Sequence, residues 1–302
     1  MHLRQIESIR GYDKQKFKSE FLRTGVPVII KDFIQEDSAA LHTWDYDHFR
    51  QVAGDSMVSV HNEEDAHLDK VSSPPVKKMK FSTYLDLIEK EPTAMRLFLF
   101  NLLLEKPVMQ KDLHVKRLAD RLITWLPFLF FGGAGSSVRY HYDIDMSHVF
   151  LSQFRGVKRV WLFANDQSEL LYRLPYNFHG IVDLRHPDYD KFPGLRYLQG
   201  WSCDLQHGDT LFIPSGYWHY IQYVTDGYSV SYRALPRTMK ERWLGFRNIV
   251  ITRRIDNTLR ILFGKKYFDW KVRAAYQRAD KAVRKIQRRE AAVFGMGDLQ
   301  RD

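Results

Sequence analysis

Between residues 124 and 235 the chain is built of short apolar runs broken by turn residues. The runs fall at 126–131, 149–154, 159–163, 201–205, 210–214, 219–224 and 228–234. Between them stand Gly132-Gly133-Ala134-Gly135, Arg155-Gly156, Ala164-Asn165-Asp166, His207-Gly208-Asp209 and Asp226-Gly227. Short strands punctuated by Gly, Asp and Asn predict an antiparallel sandwich or barrel. Residues 172–200, with Pro175, Pro187 and Pro193, read as a long connection between two strands.

The flanks carry other periods. Apolar residues at helical spacing (Phe17, Phe21, Leu22) predict a helix over 12–23, and 44–52 and 81–89 read the same way. The β-branched run at 26–30 predicts a buried strand, and the charged stretch 62–80 with Pro74-Pro75 an exposed loop. The apolar run 96–104 fits strand or helix equally. After residue 238, Trp243, Phe246, Ile249, Val250, Ile255, Leu259, Leu262 and Phe263 recur every three or four positions up to a stop at Gly264. A second helix carries Trp270, Val272, Tyr276, Ala279, Val283 and Ile286 on one face and Arg and Lys on the other. The expected fold is therefore mainly β with flanking helices. It comprises an α/β lead-in over 1–120, a β core over 121–236 and a helical extension over 237–302.

Composition changes this picture at one point. The net charge of +10 is not spread along the 302 residues: 237–302 hold 18 basic against 7 acidic side chains, and 1–236 hold 28 against 29. A neutral body thus carries a basic tail. No apolar run reaches the ~18 residues of a membrane span, and the first ten residues lack the apolar stretch of a secretory signal. The single cysteine, Cys203, excludes a disulfide framework and a cysteine-based zinc site. A reducing cytoplasm is the expected location.

Two motifs carry chemistry jointly. In His141-Tyr142-Asp143 an extended chain turns residues i and i+2 to one face, so imidazole and carboxylate converge. In Gly208-Asp-Thr-Leu-Phe-Ile-Pro214-Ser-Gly216-Tyr-Trp-His219 a turn enters a strand, Pro214 ends its pairing, and Gly216 permits the turn that projects His219 inward. Two histidines and one carboxylate form the facial triad of non-haem Fe(II) oxygenases, which leaves three positions for other ligands. Asp145 is the rival carboxylate; His148 and His207 are the rival imidazoles.

The second motif matches the glycine–five–proline–one–glycine–two–histidine pattern of cupins. With the first motif, and with Gly156-Val157-Lys158-Arg159 before an apolar strand, residues 10–235 resemble the JmjC and cupin-like 2-oxoglutarate oxygenases. They are similar to the asparaginyl-hydroxylase and tRNA-wybutosine-hydroxylase branch rather than to the histone demethylases. The resemblance implies a double-stranded β-helix (jelly-roll) core and Fe(II) on His141, Asp143 and His219. It also implies O₂ and 2-oxoglutarate as cosubstrates, the far carboxylate on Lys158, and hydroxylation of a C–H on a protein or peptide side chain. An RNA base or a free amino acid is the alternative substrate, and a non-catalytic cupin-fold module the alternative class.

This chain departs from its relatives in three places. Many of them carry a threonine three residues before the first histidine; here it is Val138, with Ser136 and Ser137 as substitutes. A tyrosine that contacts the cosubstrate is replaced near Phe98, and Arg233 stands as an extra anion contact, with Arg139 next in line. Loss of the second histidine and the glutamate of the first cupin motif disfavours a four-ligand manganese or nickel centre. For the tail three readings stand: a homodimerisation unit, an RNA-tracking face (Arg273, Arg278, Lys281, Arg284, Lys285, Arg288, Arg289) or a dock for an acidic protein.

Overall fold

The eight strands that follow residue 121 divide four and four between two sheets in a computed structural model that describes residues 1–62 and 74–298. One sheet orders Thr210–Ile213, His148–Arg155, Gly227–Ala234 and Leu122–Gly132. The other orders Gln199–Leu205, Lys158–Phe163, Trp218–Tyr223 and Ser137–His141. Every contact between neighbours within these two sets is antiparallel. This is the expected double-stranded β-helix. Val149, Leu151, Leu211 and Ile213 of the first sheet meet Val160, Leu162, Cys203 and Leu205 of the second in a shared apolar core. Gly156 turns the chain between His148–Arg155 and Lys158–Phe163 at φ +74°, and a Cβ there would lie 2.0 Å from the Asp226 carbonyl oxygen. Only glycine fits, and the turn fixes the register that faces Lys158 inward.

The lead-in widens the first sheet at both edges. Ser8–Ile9 and Val28–Ile30 extend one side; Met95–Phe100, Met57–Asn62 and Lys77–Lys80 extend the other. Helical segments Lys14–Phe17, continuing as Lys18–Leu22, Tyr46–Ala53 and Phe81–Lys90 then pack on the sheet's outer face. Asp13 and Asp45 cap the first and the Tyr46 helix through backbone N–H groups of Lys16 and His48. Phe17, Phe49, Phe81, Phe131, Phe150, Phe212 and Tyr228 form the aromatic centre of that layer.

Two local expectations change. Lys77–Lys80 is a strand rather than loop, paired with Met57–Val60 at the sheet margin, where charged side chains are tolerated because one edge meets water. Of the rest of the expected loop, 74–76 is irregular and 63–73 lies outside the described residues. The ambiguous run at 96–104 is both elements in succession: the strand Met95–Phe100, with a register shift and Leu99 at φ 52°, then the short helix Leu102–Glu105.

The connection after Lys158–Phe163 packs Leu171, Tyr172, Leu174, Phe192 and Leu195 onto the outer face of the second sheet, against Tyr140 and Trp218. The tail begins with a Thr238–Glu241 capping box and runs as Met239–Arg247, Asn248–Thr252 and Arg253–Asp298. Gly264, at φ 47° and ψ −127°, breaks the last of these into two arms. Buried Lys271 pairs with Asp256 at 2.5 Å, and Tyr267 donates to the same carboxylate at 3.0 Å, tying the arms together. The second arm behaves as its pattern predicts. Ala275 and Ala279 are buried against the connection, and the arginine and lysine face points to solvent. The helix Met239–Arg247 and the first arm leave their apolar faces open, with Trp243 of the former 57% and Leu262 of the latter 66% exposed. No described helix is long and apolar enough to cross a membrane.

Candidate metal centre

His141 and His219 are directly opposed partners on adjacent antiparallel strands, with ring centroids 4.2 Å apart. Asp143 follows two residues after His141, and the three side chains bring ligand atoms within 4.8 Å of one another. Each imidazole is oriented by its own strand. Nδ1 of His141 meets the Arg139 carbonyl oxygen at 2.8 Å, and Nδ1 of His219 meets that of Tyr217 at 3.2 Å. A proton on each Nδ1 donates to its carbonyl and leaves the Nε2 lone pair for a metal, the arrangement usual for histidine ligands.

The electrostatics favour the ligating protonation states. Burial lowers both imidazoles, against the pull of Asp143, with His219 brought down to about 4. Burial alone would raise Asp143, but Arg233 and the two imidazoles outweigh it and hold the carboxyl well below the usual carboxylate range. Arg233, from the facing sheet, donates Nη2 to Asp143 Oδ1 at 3.1 Å and Nη1 to the Asp145 oxygens at 3.0 and 3.2 Å. Neutral imidazoles and an ionised carboxylate, all buried and converging, fit a divalent metal.

The rivals are occupied elsewhere. Asp145 is held by Arg233 and by the Ser147 hydroxyl at 2.7 Å. His148 accepts the Ser215 backbone N–H at 3.0 Å and stacks on Phe212. His207 Nδ1 lies 2.5 Å from the Phe154 carbonyl oxygen.

A cavity of about 220 Å³ opens from the three residues and is walled by Phe98, Val138, Lys158, Ile221, Tyr223, Ser231 and Arg233, among others. Lys158 is 1% exposed, donates to the Ser229 hydroxyl, and lies 4.4 Å from the Tyr223 ring centroid. Burial pushes its pKa well below the ordinary lysine value. Among the described residues it has no carboxylate partner, so a buried cation faces a cavity that holds room for an anion. Arg159 points the other way, onto Asp204.

Two expected contacts need correction. Ser137 is not on the cavity wall. Between the pairs His219–His141 and Ile221–Val138 one strand advances two residues and the other three, a β-bulge. The extra residue flips the alternation, so Val138 joins Ile221 inside and Ser137 pairs with Gln222 on the outward face. Arg233 does line the cavity, but its guanidinium is engaged by Asp143 and Asp145 rather than standing free for an anion. Reading the sequence missed Ser229, Ser231 and Tyr223. The first two had a signal: in 227–234 the polar positions 229, 231 and 233 alternate with Tyr228, Val230 and Tyr232, which belong to the outer core. His179 reaches the cavity wall through an isolated bridge to His141, a long-range contact with no local signature.

A jelly roll whose inner face bears an open set of two histidines and one aspartate, beside a buried lysine, defines an oxygenase-type cupin. Residues 14–234 match the family model described as a cupin-like domain, and the chain belongs to that family, which includes JmjC-type iron and 2-oxoglutarate oxygenases. It is similar to tRNA wybutosine-synthesizing protein 5 of Gallus gallus, 24% identical over 71% of this chain and 72% of that protein. It is 26% identical to lysine-specific demethylase 8 of Danio rerio over 76% of this chain and 58% of that one. It is also 26% identical to Jumonji C domain-containing protein 5 of Drosophila melanogaster over 72% and 57%. The match thus spans less than two thirds of the last two relatives.

Proposed function

We propose that the protein is an Fe(II)- and 2-oxoglutarate-dependent oxygenase that hydroxylates a C–H bond on a protein or peptide side chain. The observation that carries this reading is the placement, in one cavity, of His141, Asp143 and His219 with a buried Lys158 that lacks a carboxylate partner. Bound iron with 2-oxoglutarate and O₂ supplies an oxidation in which one oxygen atom enters the substrate C–H and the other converts 2-oxoglutarate to succinate and CO₂. The chain's own residues do the rest. His141, Asp143 and His219 would hold the metal on one side and leave its remaining positions open. Lys158, with Ser229, would receive the far carboxylate of 2-oxoglutarate. Arg233 keeps Asp143 ionised and aimed, and the apolar wall of Val138, Val149, Leu151, Ile213 and Ile221 excludes water.

Incubating the purified chain with Fe(II), 2-oxoglutarate and O₂ should give succinate, and mass spectrometry of a peptide pool should find products heavier by one oxygen atom. No succinate with iron loaded would leave a binding module instead. An RNA base is the second reading, favoured by the exposed Arg273, Arg278, Lys281, Arg284, Lys285, Arg288 and Arg289 along one helix arm. Salt-sensitive retention on RNA, lost on reversing those charges, is its test.

A further inference from the structure

The segment that carries His141 and Asp143 also forms part of another cleft. Tyr142, between His141 and Asp143, helps wall a space of about 480 Å³ bounded by segments 173–178 and 247–255 and by Trp270 and Arg278. Three arginines, Arg173, Arg247 and Arg278, line it, and among the described residues no carboxylate does. Glu169, outside the lining, takes Nη2 of Arg173 at 3.2 Å, but Nε of Arg173 is buried without a hydrogen-bond partner. No ion pair engages Arg247 or Arg278 among the described residues. Asn177 adds a second kind of donor. It is 2% exposed, and its Oδ1 accepts the Phe178 backbone N–H at 2.9 Å, which fixes the amide and leaves Nδ2 buried with no partner. Tyr176 and Trp270, 43% and 42% exposed, place two accessible aromatic rings on the same wall, Trp270 with its other side stacked on Tyr267 at 5.6 Å.

Cations and N–H donors without an opposing carboxylate repel one another until an anion arrives. Planar guanidinium groups and an amide suit a phosphate, which offers several acceptor oxygens and a charge near −2. Open rings suit a flat partner that stacks. The volume lies within the roughly 300–1,000 Å³ range of small-molecule sites. We propose that this cleft binds a small organic phosphate of the mononucleotide class, with its phosphate on the arginines and Asn177 and its base against Trp270 or Tyr176. Nothing in the proposal depends on the metal centre or its chemistry.

Calorimetric titration of the full chain with adenosine monophosphate, adenosine and inorganic phosphate tests it. Adenosine monophosphate should saturate one site per chain with an affinity that falls as salt rises. Adenosine, which lacks the charge-assisted contacts, should bind at least about tenfold more weakly. Inorganic phosphate should compete. Arg247→Ala and Arg278→Ala alter exposed side chains and should each weaken the nucleotide about tenfold without moving the melting temperature. Asn177→Asp keeps the oxygen that accepts from Phe178 and puts a negative charge in the cleft, so it should abolish binding while the chain stays folded. Lys285→Ala, on the basic arm but outside the cleft lining, should change nothing. The proposal falls if adenosine monophosphate does not saturate, or if adenosine binds as tightly. It also falls if Lys285→Ala weakens binding as much as Arg247→Ala, because the attraction then belongs to the whole basic surface.

Discussion

Replacing Lys158 by methionine should move stability and cosubstrate affinity in opposite directions. Methionine keeps the length of the side chain and removes the charge. That charge is 1% exposed, touches one hydroxyl and one ring, and has no counter-ion among the described residues. Removing an uncompensated buried ammonium should stabilise the fold by about 1–3 kcal/mol, since apolar replacements of buried charges are often neutral or favourable. In a chain this size that is a rise in Tm of roughly 2–6 °C. The same change deletes a charge-assisted contact to 2-oxoglutarate worth about 1.5–3 kcal/mol, so KM for 2-oxoglutarate should rise ten- to a hundredfold with iron affinity little changed. The pH dependence separates this from a packing effect. The folded pKa of Lys158 lies below its unfolded value of 10.5, so between the two the unfolded chain holds the extra proton and wild-type stability increases with pH. Lys158→Met lacks that increment. Differential scanning calorimetry at several pH values, with and without 2-oxoglutarate and an inert divalent metal, reads all three effects. A less stable Met variant with unchanged KM would show that Lys158 packs the core and meets no anion.

Three further outcomes follow from the geometry. His141→Ala, Asp143→Ala and His219→Ala should each abolish iron-dependent succinate formation in a folded protein, whereas Asp145→Ala should retain iron binding; the reverse pattern for the two aspartates would overturn the ligand assignment. The exposed Trp243 and Phe246, 57% and 52% accessible, belong to an apolar face too large for a soluble monomer, so sedimentation should show a homodimer that Trp243→Glu with Phe246→Glu dissociates and that charge reversal at Arg284, Lys285, Arg288 and Arg289 leaves intact; a micromolar monomer refutes this. Burial lowers His148 from 6.5 to about 4, so as pH falls through that window the unfolded chain takes up a proton the folded one refuses, and up to about 3 kcal/mol of stability is lost; urea unfolding at pH 7 and pH 5 should show a shallower loss in His148→Asn, and equal losses would exclude His148 as the source.

The parts of this molecule legible in the sequence are those in which local pattern and chemistry coincide. The Gly208–His219 motif encodes a turn, a strand and a second turn within twelve residues, so the position of His219 needed no long-range information. The Gly156 turn likewise fixed the inward face of Lys158. Ser137 failed for the opposite reason. Its orientation depends on a bulge created by pairing with residues more than eighty positions away, and alternation counted along one strand cannot see an extra residue relative to its partner. Arg233 lines the cavity, and its partners, Asp143 and Asp145, come from the turn after Ser137–His141, ninety positions away along the chain for Asp143. Lys77–Lys80 carries three lysines in four residues and is a strand only because Met57–Val60 lies beside it.

The same bulge shapes the wall of the cavity beside Lys158. Because the extra residue falls between 138 and 141, the side chain that meets the cavity beside Ile221 is the one three positions before His141, the position for which the family resemblance implies a threonine. In this chain that wall is Val138, so the cavity is apolar at this position, and Lys158 with Ser229 is the proposed anchor for 2-oxoglutarate. Val138→Thr changes one methyl to a hydroxyl at nearly constant volume and places it on the same wall as Lys158. One added hydrogen bond to a carboxylate is worth about 1.5–3 kcal/mol when fully formed and less when shared with water. KM for 2-oxoglutarate should therefore fall several-fold, while the matched Ser137→Ala leaves it unchanged because Ser137 faces away. A steady-state titration of 2-oxoglutarate on the two variants separates the faces. Should Ser137→Ala raise KM and Val138→Thr do nothing, the alternation runs through the strand without a flip, and the anchor described here has its second hydroxyl on Ser137.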